Sequence, residues 1–164
     1  MVFIIFIVVL IALRIAELVL SGRNEAWLLE QGAVESGQKH YPFIVTLHVL
    51  FFLSLIIEYS AKQSVSFSMF LLVSYFFLVA LKVLVILSLG KYWNTKIYHI
   101  PNASLVKVGA YKYFKHPNYI IVIAEIALIP LIFGLYFTAI TFTMLNAIML
   151  SVRTIEEDKA IGGQ

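Results

Sequence analysis

Continuous apolar runs of about twenty residues constrain this chain more than any other feature. "MVFIIFIVVLIALRIAELVL" opens the sequence, "FIVTLHVLFFLSLIIEYS" and "SFSMFLLVSYFFLVALKVLVILSLG" follow, and two shorter runs lie toward the end. Runs of that length match a helix crossing a hydrocarbon core of about 30 Å. They are continuous and show no period of two, which makes the alternating strands of an outer-membrane barrel a poor alternative. With 62% of 164 residues hydrophobic and 13% charged, a single soluble core has too little interior to hide the apolar surface. The expected fold is therefore all-α, a polytopic membrane bundle forming one domain over 1–164. Five spans are expected at roughly 2–20, 43–60, 66–90, 118–133 and 135–151. "PLIFGLYF" breaks the last two, with Pro130 and Gly134 as helix-breakers, giving a short helical hairpin that either crosses or re-enters. The N-terminal run lacks the basic start and cleavage site of a signal peptide and is read as a retained span. Cysteine is absent, which removes disulfides, thiolate nucleophiles and cysteine-held metals from consideration.

Basic residues outside the spans set the expected orientation. Arg23, Lys39, Lys91, Lys96, Lys107, Lys112, Lys115, Arg153 and Lys159 fall on one side, against Lys62 alone on the other. The positive-inside rule then places the N-terminus outside, and the two long loops and the C-terminus in the cytoplasm. The same bias, with anionic lipid headgroups as partners, accounts for the net charge of +3 without nucleic acid. The first of those loops, 21–42, carries two glycine-containing breaks and has room for one short interfacial helix.

Five ionisable residues lie inside the spans: Arg14, Glu17, His48, Lys82 and Glu125. Counted along their helices, all fall about 5–12 Å from the cytoplasmic ends, on four different spans. A charge at such depth costs about 2.5–3.5 kcal/mol on insertion scales, so it faces a partner or water. Snorkelling and a local Arg14–Glu17 pair explain any one of them. Five at a common depth point to a polar cavity open to the cytoplasm.

The mouth of the fourth span is "YKYFKHPNY". Pro117 suits the first turn of a helix, where its missing N–H costs nothing. The free N–H groups there, with Lys115, form a site for an anionic group, and His116 and Tyr119 add an imidazole and a phenol. An interfacial aromatic belt is the plainer reading of the same residues. The tail "SVRTIEEDKAI" continues the fifth span on the same side, with Arg153, Glu156 and Glu157 at i, i+3 and i+4 on one face. Carboxylates beside a basic helix mouth suit a ligand bearing both an ammonium and a carboxylate. A solvated charged tail is the alternative.

"LVKVGAYKYFKHPNY" followed about 35 residues later by "RTIEEDKAI" resembles the C-terminal signature of the isoprenylcysteine carboxyl methyltransferase family. "LGKYWNTKIYHIPNASLV" and "GAVESGQKHYPFIVTLHVLFF" extend the similarity over most of the chain, toward short bacterial members, some of which O-methylate alkylpyrones. The resemblance implies S-adenosylmethionine as cofactor, bound within 91–164, and a lipophilic small-molecule acceptor, alkylpyrone-like or isoprenylcysteine-like. By motif position Gly109, Tyr111, Lys115, His116, Pro117, Tyr119, Glu156 and Glu157 inherit the cofactor role. Glu156 or Glu157 would hold the cofactor ammonium. His116, Lys115 and the helix N-terminus would receive its carboxylate. Arg153 and Glu157 are the expected catalytic residues, with Arg14, His48 and Arg153 binding the acceptor, and no metal is expected. Lys115 stands where the family carries arginine, keeping the charge without the bidentate fork, and Ile121 stands where many members have glycine. A nicotinamide-dependent lipid reductase and a non-enzymatic transporter or scaffold are the competing readings. The expected location is a bacterial cytoplasmic membrane.

Overall fold

A computed structural model describes residues 1–101 and 108–162. Helix α1 spans Val2–Glu30, α2 Tyr41–Ala61, α3 Met69–Leu89, α4 Pro117–Leu131 and α5 Tyr136–Gly162. Two three-residue strands, β1 (Val34–Ser36) and β2 (Ile97–His99), pair antiparallel with Glu35 opposite Tyr98. Four of the helices are long and apolar enough to cross a membrane, and α4 is a shorter apolar helix of 15 residues. This is the polytopic helical membrane bundle expected. At 1.5 Å per residue α4 rises only about 22 Å, short of a full hydrocarbon core. Large apolar side chains such as Ile4, Phe70, Phe77, Phe137 and Ile148 are exposed around the bundle, as lipid-facing residues are.

The break between α4 and α5 is built as the sequence indicates. Pro130 ends the regular helix, the N–H of Leu135 closes back on the Pro130 carbonyl at 2.9 Å, and Gly134 takes φ +65°. That end of the bundle is held by three further ties. Lys62 donates to the Gly134 carbonyl, and the Ser68 N–H donates to Ile132 O at 3.0 Å. The Glu58 carboxylate of α2 accepts the N–H groups of Phe137 (3.2 Å) and Thr138 (2.8 Å), capping the positive end of α5. Beneath these ties Phe3 stacks on Tyr59, and both rings meet Phe133 edge-on. Leu55, Ile132 and Leu135 are completely buried there.

The other end is polar. α1 does not stop at residue 20 but runs on to Glu30, so the first turns of the expected 21–42 loop are helical. Ser21 and Asn24 are buried because the 93–95 segment supplies their partners. The Asn24 side chain donates to Trp93 O at 2.7 Å, and the Thr95 N–H donates to the Ser21 hydroxyl at 3.1 Å. The rest of that loop forms β1 rather than an interfacial helix, and its backbone pairs with β2. Lys96 bridges to Glu25 at 2.7 Å, and the Tyr98 phenol donates to the same carboxylate at 2.8 Å. Glu25, close to Lys96 first by a direct hydrogen bond, holds the Lys96 ammonium above its ordinary range. Lys107, counted above among the basic residues, and the first residues of the "LVKVGAYKYFKHPNY" motif lie outside the described residues.

Candidate functional site

Pro117 occupies the first turn of α4, with His116 as its N-cap. This puts the His116 and Tyr119 rings one turn apart, stacked face to face with 5.1 Å between centroids and 4° between planes. α5 returns antiparallel beside α4 and delivers its last charged turns to the same place. Arg153, 9% exposed, donates from Nε to the Tyr119 oxygen at 2.8 Å, and the Tyr119 hydroxyl donates to the Glu157 carboxylate. Tyr119 is thus the joint between a buried guanidinium and a carboxylate. The His116 ring lies between two acids, with Nδ1 3.5 Å from Glu157 and Nε2 3.3 Å from Asp158. Asp158 also takes Lys115 at 2.7 Å, an exposed pair at the rim.

The expected cofactor residues do not all converge. Glu157 faces the stacked rings, whereas Glu156 turns to Lys159 at 2.8 Å. A hundred-degree step per residue separates the two carboxylates around α5. Gly109 begins a short 3-10 turn, Gly109–Lys112, packed on α3. It adopts φ +57°, and a Cβ there would overlap the Ser88 hydroxyl. Tyr111, in the same turn, senses Glu157, but burial comes first in pushing its phenol up to about 12. Ile121 is buried in α4, one turn beyond Pro117. Asp158 was not singled out by sequence reasoning, although it is the third acid of the "EED" run. Asn118 was also missed; its Oδ1 is buried in the first turn of α4 with no hydrogen-bond partner among the described residues.

Deeper along α4, six residues or about 9 Å beyond Tyr119, sits Glu125. Four of the expected intramembrane charges close there into one ring. Arg14 meets Glu17 at 2.7 Å, Glu17 meets Lys82 at 2.7 Å, Lys82 meets Glu125 at 2.8 Å, and Glu125 meets Arg14 at 3.4 Å. The ring lines a cavity of about 290 Å³ together with His48, Tyr75 and apolar walls such as Phe51, Val79 and Ile129. Two cations and two carboxylates cancel, so the charges are mutually satisfied. Arg14, an expected acceptor-binding residue, has its guanidinium committed to two acids. His48 lines the same cavity with its Nδ1 2.8 Å from the Ile44 carbonyl.

Residues 69–162 match the Isoprenylcysteine carboxyl methyltransferase (ICMT) family. The chain belongs to that family. The matched range takes in α3, α4 and α5, and so both the Tyr119 joint and the Lys82–Glu125 half of the ring. The chain is 46% identical over 157 residues to Uncharacterized protein YpbQ of Bacillus subtilis, covering 94% of each protein. It is 31% identical over 156 residues to an uncharacterized protein of Haemophilus influenzae, covering 93% of this chain and 90% of that one. No solved structure matches. Membership makes this an integral-membrane protein of a methyltransferase family, whose enzymes use S-adenosylmethionine as methyl donor.

Proposed function

We propose that the protein is an S-adenosylmethionine-dependent O-methyltransferase of a lipophilic small molecule. Its acceptor carries an acidic enol or a carboxylate, with an alkylpyrone-like head ranked ahead of an isoprenylcysteine-like one. The observation that carries this reading is the Tyr119 joint, which gathers Arg153, Glu157 and His116 at the mouth of α4. The donor set fits the methyl donor's polar end. Glu157 offers a carboxylate to an ammonium, Lys115 and His116 offer positive or donor groups to a carboxylate, and the buried Asn118 Oδ1 still lacks a donor. Bound S-adenosylmethionine supplies an electrophilic methyl group on a sulfonium.

The chain's own part is to orient and to exclude water. Glu157 and the α4 mouth fix one end of the donor, and the stacked rings give it a flat wall. Arg153 spends Nε on Tyr119, and its remaining N–H groups have no partner among the described residues, which leaves them for an acceptor's oxygen. The lipid tail enters between helices. The basic loops support a cytoplasmic position for this mouth, and a bacterial cytoplasmic membrane is the setting proposed.

The test is calorimetric titration of the detergent-purified protein with S-adenosylhomocysteine, with a nicotinamide cofactor as control. Saturable micromolar binding that is lost in Glu157→Ala is the expected result. A folded protein that binds the nicotinamide cofactor, or neither compound, removes the proposal.

A further inference from the structure

The ring cavity is balanced in charge, and that balance bears on what it can hold. Arg14, Glu17, Lys82 and Glu125 spend their charges on one another, so no cation is left over for an anion. An acidic head group entering this apolar, charge-balanced space is favoured in its protonated form. O-methylation of a protonated head then requires a proton acceptor on the spot.

His48 supplies one. A backbone carbonyl only accepts, so the Nδ1 that faces Ile44 O must carry a proton. The neutral ring therefore has its lone pair on Nε2, and Nε2 has no hydrogen-bond partner among the described residues. Tyr75, 2% exposed and lining the same cavity, has a hydroxyl that makes no hydrogen bond among the described residues either. Beside the charged ring the cavity thus offers a neutral acceptor, His48 Nε2, and a neutral donor, the Tyr75 hydroxyl, set in apolar walls, with a volume of about 290 Å³. That is near the lower end of ligand sites, about 300 Å³, and suits a compact head with its tail outside.

We infer that His48 Nε2 takes the proton of the acceptor's hydroxyl while Tyr75 donates to a carbonyl on the same head. This rests on the methyltransferase reading above and narrows it to an acceptor that enters as a protonated, conjugated hydroxy-carbonyl compound. In the step, the O–H bond breaks and its proton passes to Nε2, making an imidazolium. The freed oxygen pair forms the new O–CH₃ bond as the methyl–sulfur bond breaks, its electrons staying on sulfur as a thioether. The imidazolium afterwards returns its proton to water. His48 is on this account a catalytic residue, and Tyr75 orients the head.

The experiment titrates the full-length detergent-purified chain with three probes: S-adenosylhomocysteine, a 6-alkyl-4-hydroxy-2-pyrone, and its 4-methoxy counterpart. Wild type is expected to prefer the hydroxy probe by at least ~10-fold, since a methoxy group leaves Nε2 without a donor. His48→Leu is expected to abolish that preference with S-adenosylhomocysteine affinity unchanged. His48→Gln keeps an oxygen acceptor without a base, so it should retain much of the preference and lose methyl transfer by ~100-fold or more. Tyr75→Phe, which preserves the ring, is expected to weaken both pyrones alike. Equal binding of the two pyrones by wild type, an unchanged preference in His48→Leu, or full turnover in His48→Gln overturns the inference. Absence of S-adenosylhomocysteine binding in wild type would instead sink the methyltransferase reading, whatever the pyrones do.

Discussion

Lys82 of α3 and Glu125 of α4 meet at 2.8 Å with only 5% and 4% of their side chains exposed. Removing one member leaves the buried ring with one uncompensated charge, which costs about 3–5 kcal/mol. Glu125→Gln and Lys82→Met are each expected to lower the thermal midpoint in detergent strongly. The double variant leaves Arg14 with Glu17 and should recover much of the loss. Thermal melts of the three proteins check this; additive losses in the double variant would show that the two residues are not coupled.

Tyr119→Phe keeps the ring that stacks on His116 and removes only the hydroxyl between Arg153 and Glu157. Hydrogen bonds to charged groups contribute about 1.5–3 kcal/mol. Affinity for S-adenosylhomocysteine is therefore expected to fall by ~10-fold to ~100-fold while the fold survives. Titration calorimetry and a parallel melt separate the two effects.

The two glutamates of α5 should behave differently despite adjoining in sequence. Glu157→Gln is expected to weaken the same ligand by ~10-fold or more. Glu156→Gln, which only releases Lys159 at the exposed surface, should change it by about twofold at most. Similar losses in both would mean that α5 rotates when ligand binds.

Gly109→Ala meets two obstacles, a φ of +57° and the Ser88 hydroxyl. A loss of more than about 1 kcal/mol is expected. Adding Ser88→Gly clears the overlap but not the backbone strain, so rescue should be partial. Full rescue in a denaturation series would assign the whole cost to the collision.

Burial raises the Tyr111 phenol to about 12, against an ordinary 10.0. Below about 10 neither the folded nor the unfolded chain ionises this group, and it adds no pH dependence. Between about 10 and about 12 only the unfolded chain ionises, so folding stability falls as pH rises. Tyr111→Phe is expected to flatten that decline relative to wild type, read as melting midpoints across the alkaline range.

Length and hydropathy made the bundle legible, because each span had to satisfy its backbone internally. Pro130 and Gly134 marked the last hairpin for the same local reason. β1 and β2 stayed hidden, since three-residue strands leave no period and 60 residues of chain separate them. The extension of α1 to Glu30 was equally hidden. Ser21 and Asn24 read as loop residues until 93–95 is seen to receive them. At the site, charge at a shared depth announced a cavity, but not that its charges would be spent on each other. Glu156 and Glu157 looked equivalent on one helical face, and only the position of Tyr119 on α4 separates them.

The ties among Glu58, Lys62, Ser68 and the α4–α5 break have a mechanical consequence. They join α2, α3, α4 and α5 at the end away from the Tyr119 joint, over a dry aromatic plug. The bundle is built like a tuning fork, clamped at its stem. At the opposite end α4 and α5 meet through the side chains of Tyr119, Arg153 and Glu157 instead of through backbone ties, so a tail or product is expected to pass there and not at the stem.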